Sequence, residues 1–151
     1  MKNYFSSTSL KVGILGGGQL GKMLLEVTQR YDLYTKVLDP GADAPCKVGC
    51  KEFVQGDFND YDTVLEFGKD CDVITIEIES VNTAALKELQ AMGKNVFPQP
   101  EVIELIQNKA TQKKFYTDEN LPTAPWFSFK NKTEMKRKID KHSFHLVKRF
   151  V

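Results

Sequence analysis

The stretch KVGILGGGQLGKMLLEVTQRY, residues 11–31, decides how the rest of the chain is read. Its first five residues, Lys11 to Leu15, form a short apolar run that suits a strand. From Gln19 on, Leu20, Met23, Leu24, Val27 and Tyr31 recur at i, i+3, i+4, i+7 and i+11, which is one apolar face of a helix. Between strand and helix stands Gly16-Gly17-Gly18-Gln19-Leu20-Gly21, in which Gly16, Gly18 and Gly21 fit G-x-G-x-x-G. Glycines permit a tight turn and let backbone N–H groups approach an anion, and the following helix aims its positive end at the same point. The turn from Gly16 to Gly21 is therefore expected to hold a phosphorylated ligand. The alternative is a turn that merely packs a helix on a sheet.

Strand and helix signals alternate as the reading moves outward. A second strand is expected over about Tyr34 to Leu38, stopped at Asp39-Pro40, followed by a surface loop from Gly41 to Cys50. A short strand at Glu52 to Val54, a helix from Asp60 to Phe67 and a buried strand from Asp72 to Ile78 come next. Asn82 should cap a helix that runs through Met92 to a stop at Gly93, before a strand at Asn95 to Phe97. This alternation predicts a Rossmann-like α/β domain, a parallel sheet with helices on both faces, over residues 11–100, after a disordered lead at 1–10. Connecting helices at Glu101 to Ile106 and Lys109 to Asp118, with Asn108 as a cap, lead to the extended linker Leu121 to Trp126. Residues 126–151 hold a strand signal at Phe127 to Phe129, a basic helix around 132–141 and an apolar run at Phe144 to Val147. They are too few to close a core of their own and read as the start of a further domain.

Composition narrows the function classes. The chain has 151 residues, 41% hydrophobic and 27% charged, as expected of a globular protein with a real core. A net charge of +1 gives no field for holding nucleic acid or an anionic membrane. No run approaches a membrane span or a secretory leader, and three cysteines argue against a disulfide framework. A cytoplasmic protein is expected. Cys46 and Cys50 lack a second ligand pair, and His142 and His145 are remote from them, so a metal site is not expected.

Asp39 follows the glycine turn by about 20 residues, where a dinucleotide enzyme grips a ribose hydroxyl. Pro40 after it, and the lack of a substrate domain, argue against an NAD-dependent oxidoreductase. Glu77 and Glu79, at a strand's carboxyl end, either face a ligand hydroxyl or amine or lie solvated in a loop. Lys109 and Lys148-Arg149 are cations that could meet phosphate, though solvated lysine is the more common case.

Five segments, VGILGGGQLGKM, VLDPGADAP, TIEIESV, VFPQPEVIELIQNKATQKKF and LPTAPW, occur in the order found in one family. Over residues 11–129, and more thinly to Lys148, the chain resembles the N5-carboxyaminoimidazole ribonucleotide synthetases, carboxylating ligases of purine biosynthesis in the ATP-grasp superfamily. The related glycinamide ribonucleotide transformylase shares the layout, but GGGQLG and LPTAPW are closer to the synthetases. The resemblance implies a pre-ATP-grasp domain that binds no NAD. Its ribonucleotide substrate, 5-aminoimidazole ribonucleotide, would be held by Gly16, Gly18, Gln19, Leu20 and Glu77, with bicarbonate and ATP as the other substrates. It implies ATP contacts at Lys109, where the family usually has arginine, and at Lys148. Lysine keeps the charge there but lacks the bidentate fork. It also implies a homodimer, and a lid loop and magnesium-binding carboxylates beyond Val151. These 151 residues by themselves are accordingly expected to bind substrate without turning over ATP. A stand-alone nucleotide-binding module is the alternative.

Overall fold

A computed structural model of the chain describes residues 10–139. Residues 1–9 of the expected lead, the end of the basic helix, His142, His145, the run from Phe144 to Val147, Lys148 and Arg149 lie outside the described residues. Strands β1 (Lys11–Leu15), β2 (Tyr34–Asp39), β3 (Glu52–Gln55), β4 (Val73–Ile76) and β5 (Asn95–Phe97) form one parallel sheet in the order β3-β2-β1-β4-β5. Helices α1 (Gln19–Arg30), α2 (Tyr61–Gly68), α3 (Thr83–Ala91) and α4 (Pro100–Gln107) follow β1, β3, β4 and β5. The expected α/β class stands.

Central strands carry the core because apolar residues there are covered on both sides. Ile14, Leu15, Val37 and Leu38 are fully buried. Ile14 and Val37 cluster with Leu25 of α1 and with Cys46. On the opposite face, a Cβ on Gly13 would lie 2.9 Å from the Phe67 ring of α2, and one on Gly68 would lie 2.4 Å from Leu89 of α3. Side chains terminate the helices as the sequence indicates. Asp60 accepts from the Thr63 N–H at 2.8 Å, Asn82 from Ala85 at 3.0 Å and Asn108 from Ala110 at 3.0 Å.

Four expectations need correction. First, of the expected apolar face of α1 only Leu24 packs against the core cluster. Gly21, Leu25 and Thr28 are buried, whereas Leu20, Met23 and Tyr31 are 61%, 56% and 70% exposed. Gly21 lies against the Gly16 carbonyl and the Cys46 Sγ, and Leu25 enters the cluster of Ile14, Val37 and Cys46, so this side of the helix is the buried one. Second, the strand expected over Asp72 to Ile78 ends at Ile76, so Glu77 and Glu79 share no strand face. Third, the loop from Gly41 to Cys50 is not wholly at the surface. It contains a 3-10 turn at Pro45–Lys47 and buries Ala44 and Cys46. Fourth, no strand is assigned at Phe127 to Phe129 among the described residues.

By compactness the chain divides within α4, into a unit ending at Glu104 and a unit starting at Leu105. The second unit contains α5 (Lys109–Asp118), the extended segment 121–129 and α6 (Lys132–Ile139). The Trp126 indole N–H donates to the Thr117 hydroxyl at 3.0 Å and the Leu121 N–H to the Tyr116 carbonyl at 2.8 Å, which ties the linker to α5. Among the described residues no helix is long and apolar enough to cross a membrane.

Candidate functional site

Helix α1 leaves β1 toward one face of the sheet while α3 leaves β4 toward the other, so a crevice opens between these neighbouring strands at their carboxyl ends. Backbone pairing continues one residue past each strand. Gly16 N–H donates to the Leu38 carbonyl at 3.0 Å and Glu77 N–H to the Leu15 carbonyl at 2.8 Å. These bonds bring Glu77 beside the glycine turn, where a Cβ on Gly16 would lie 3.4 Å from the Glu77 Cβ.

The glycines of the motif do different work. Gly16 has φ +106, which L side chains rarely adopt. A Cβ on Gly21 would stand 2.4 Å from the Gly16 carbonyl oxygen and 3.0 Å from the Cys46 Sγ. These two glycines are needed to make the turn and to seat α1. Gly18 is different: a Cβ there would meet nothing within 4 Å. Its backbone is extended, with φ −72 and ψ −159, and no side chain caps the helix it begins. The N–H groups of Gly18, Gln19 and Leu20 donate to no described residue. Open space, three unclaimed donors and the positive end of a 12-residue helix therefore coincide at one point.

Glu77 supplies the opposite chemistry. It is half-buried, and its carboxylate has no hydrogen-bond or ion-pair partner among the described residues. Amides on one side can take an anion, and the carboxylate on the other can accept from a hydroxyl or amine. Glu79 is exposed. The structure thus brings Gly16, Gly18, Gln19, Leu20 and Glu77 together. Lys109, half-buried at the start of α5, belongs to the second unit, and Lys148 lies outside the described residues.

Two residues beneath the turn have roles that sequence reasoning did not give them. Asp39 receives the Gly17 N–H on Oδ2 at 2.7 Å and the Gly41 N–H on Oδ1 at 2.8 Å. Each carboxylate oxygen is thereby engaged by the backbone at the place where a dinucleotide enzyme would offer it to a ribose. The signal lay in Asp-Pro-Gly, since aspartate favours bonding the backbone two residues on. Cys46 is fully buried, donates its backbone N–H to the Gly17 carbonyl at 3.0 Å and sets its Sγ 3.8 Å from the Gly18 carbonyl oxygen. Burial pushes its thiol up to about 11, so at neutral pH it is a protonated packing group. Among the described residues, no group of three histidine, cysteine or acidic side chains could hold a metal ion.

Comparison with known proteins was consistent with this geometry. A family model described as ribonucleotide synthetase preATP-grasp domain matches residues 9–107. The phosphoribosylaminoimidazole carboxylase of Ogataea methanolica is 46% identical over 108 residues, which cover 70% of this chain and 20% of that protein. A crystal structure of carboxyaminoimidazole ribonucleotide synthase from Aspergillus clavatus complexed with ATP superposes with TM-score 0.79 at 35% identity, covering 90% of this chain and 36% of that one. Another, of the Aspergillus clavatus N5-carboxyaminoimidazole synthase with ADP and 5-aminoimidazole ribonucleotide, gives TM-score 0.70 at 39% identity, covering 80% and 32%. The chain spans a fifth to about a third of the length of these relatives.

Proposed function

The chain belongs to the ribonucleotide synthetase preATP-grasp domain family, and from that premise we propose that its first unit holds 5-aminoimidazole ribonucleotide for an ATP-dependent carboxylating ligase. One observation carries the reading: open space at Gly18, three amides that donate to no described residue, and beside Gly16 the Glu77 carboxylate, which has no partner among the described residues. On this reading Gly16 shapes the turn, while Gly18, Gln19 and Leu20 present amides to an acceptor on the ribonucleotide. Glu77 accepts from a ribose hydroxyl or the ring amine, orienting the amine for carboxylation. A relative crystallised with ADP and 5-aminoimidazole ribonucleotide supports this choice of ligand.

The reaction assigned to the whole ligase joins bicarbonate to that amine, with ATP activating the bicarbonate as carboxyphosphate. Lys109 and Lys148 are the proposed ATP contacts. The magnesium expected with ATP finds no fitting set of three ligands among the described residues, and no step is assigned to it. These 151 residues alone should bind substrate without turnover, because phosphoryl transfer needs a metal and a closed nucleotide site. A homodimer in the cytoplasm belongs to the same reading; the uncovered apolar stripe of α1 supports self-association.

Calorimetric titration of the chain with 5-aminoimidazole ribonucleotide, beside an ADP-release assay with bicarbonate and ATP, tests the proposal. Saturable binding with no ADP release is expected. Absence of binding, or ADP release at enzyme-like rates, would overturn it.

A further inference from the structure

We propose that Asp39 is a positioning residue for the ligand-binding amides: it sets the direction of the Gly18 N–H by holding the neighbouring peptide of Gly17. The ligand named here rests on the function proposed above, but the positioning follows from the backbone alone.

A trans peptide unit is planar, with its carbonyl and N–H pointing in opposite directions. The Gly17 carbonyl accepts the Cys46 N–H at 3.0 Å, so the Gly18 N–H of the same unit is turned away from the loop after β2. A Cβ on Gly18 would meet nothing within 4 Å, so no side chain crowds this residue. On the preceding peptide, the Gly17 N–H is held by Asp39 at 2.7 Å. Both backbone groups of Gly17 are therefore gripped by the segment 39–46. Without that grip a glycine would be free to turn its peptide over.

Asp39 is suited to coordinate the grip. Its own carbonyl accepts the Gly56 N–H at 3.1 Å, which fixes it to the end of the sheet. Its second oxygen holds Gly41, whose carbonyl accepts the Ala44 N–H at 3.1 Å in the turn that delivers Cys46 beneath Gly17. One carboxylate thus ties the strand end, the glycine turn and the supporting loop together. Bonds from N–H groups to an ionised carboxylate are stronger than neutral ones. The carboxylate also occupies the Gly17 N–H and repels anions there, which leaves the amides of Gly18, Gln19 and Leu20 for the ligand. Asparagine has the same size but one acceptor oxygen, and its NH2 would face a backbone donor.

The test is nitrogen-15 NMR of the 151-residue chain and its Asp39→Asn variant, with titration by 5-aminoimidazole ribonucleotide. In the unmodified chain, a through-hydrogen-bond coupling should join the Gly17 amide to the Asp39 carboxyl carbon. In the variant, the Gly17 and Gly18 amide resonances should move while those of β1, β4 and residues 34–37 of β2 stay, and the ligand should bind about tenfold more weakly. A Gly18 amide unmoved by the substitution, or binding equal to that of the unmodified chain, would overturn the proposal. A variant that does not fold leaves the coupling as the deciding measurement, and its absence would overturn the proposal as well. Failure of the unmodified chain to bind counts instead against the proposed function, because the Gly17 and Gly18 signals are read without ligand.

Discussion

At the residue scale, Gly18 and Gly21 separate a binding turn from a packing turn. Gly21 has no room for a methyl group, so Gly21→Ala should cost about 2 kcal/mol of stability in urea unfolding through backbone displacement. A Cβ on Gly18 would meet nothing within 4 Å, so Gly18→Val should leave the unfolding midpoint nearly unchanged while weakening ribonucleotide binding tenfold or more, roughly the effect of filling a docking space. Equal stability losses in the two variants would return the turn to a purely structural role. Glu77→Gln keeps the shape of a half-buried side chain that has no partner among the described residues. Stability should therefore hold while calorimetry shows about tenfold weaker binding, the loss expected for one charge-assisted hydrogen bond.

At the element scale, β1, β5 and α5 begin and end where the sequence placed them, because each is bounded by glycine, proline, asparagine or a sharp change of apolar pattern. The turn was legible as a motif for the same reason. Periodicity could not reveal which side of α1 is buried, since a stripe at i, i+3 and i+7 reports an apolar surface without saying what covers it. Nor could spacing reveal that Cys46 lies beneath Gly17, a contact made across 29 residues by a loop with no regular pattern. Away from the site, a charged cluster fastens β1, β2 and β3 to the end of α2. Lys36, only 6% exposed, donates to Asp70 at 2.8 Å and to the Phe67 carbonyl at 3.2 Å, while Lys11 pairs with Asp70 and Glu52. Partial burial pushes the Asp70 carboxyl up, but the hydrogen bonds from Lys11 and Lys36 together outweigh it and hold it at about 2, below its ordinary 3.8. The hydrogen bond from Lys11 likewise lowers Glu52. A carboxyl depressed on folding stabilises above its unfolded pKa, and that stabilisation is lost as pH falls through the folded value. Asp70→Asn should therefore cost about 1 kcal/mol at pH 7, a modest figure because the pair is half exposed and screened. The difference should shrink as urea unfolding is repeated from pH 4 toward pH 2; a difference independent of pH would discard this role for Asp70.

At the scale of the whole molecule, the sheet gathers the glycine turn and Glu77 at the carboxyl ends of its strands and leaves α1 with exposed Leu20, Met23, Val27 and Tyr31 on its flank. Sedimentation velocity should detect concentration-dependent self-association that Met23→Glu removes, because a charge in the stripe opposes burial. A monomer at every concentration would remove the support for a homodimer. The most direct measurement follows every backbone amide while 5-aminoimidazole ribonucleotide is added to nitrogen-15-labelled chain. The largest shifts are predicted at Gly18, Gln19 and Leu20, with Glu77 responding beside them and the Lys11–Lys36–Asp70 end of the sheet silent. Saturable shifts centred anywhere else, or none at concentrations that saturate relatives of full length, would contradict the claim that this turn is the ribonucleotide seat.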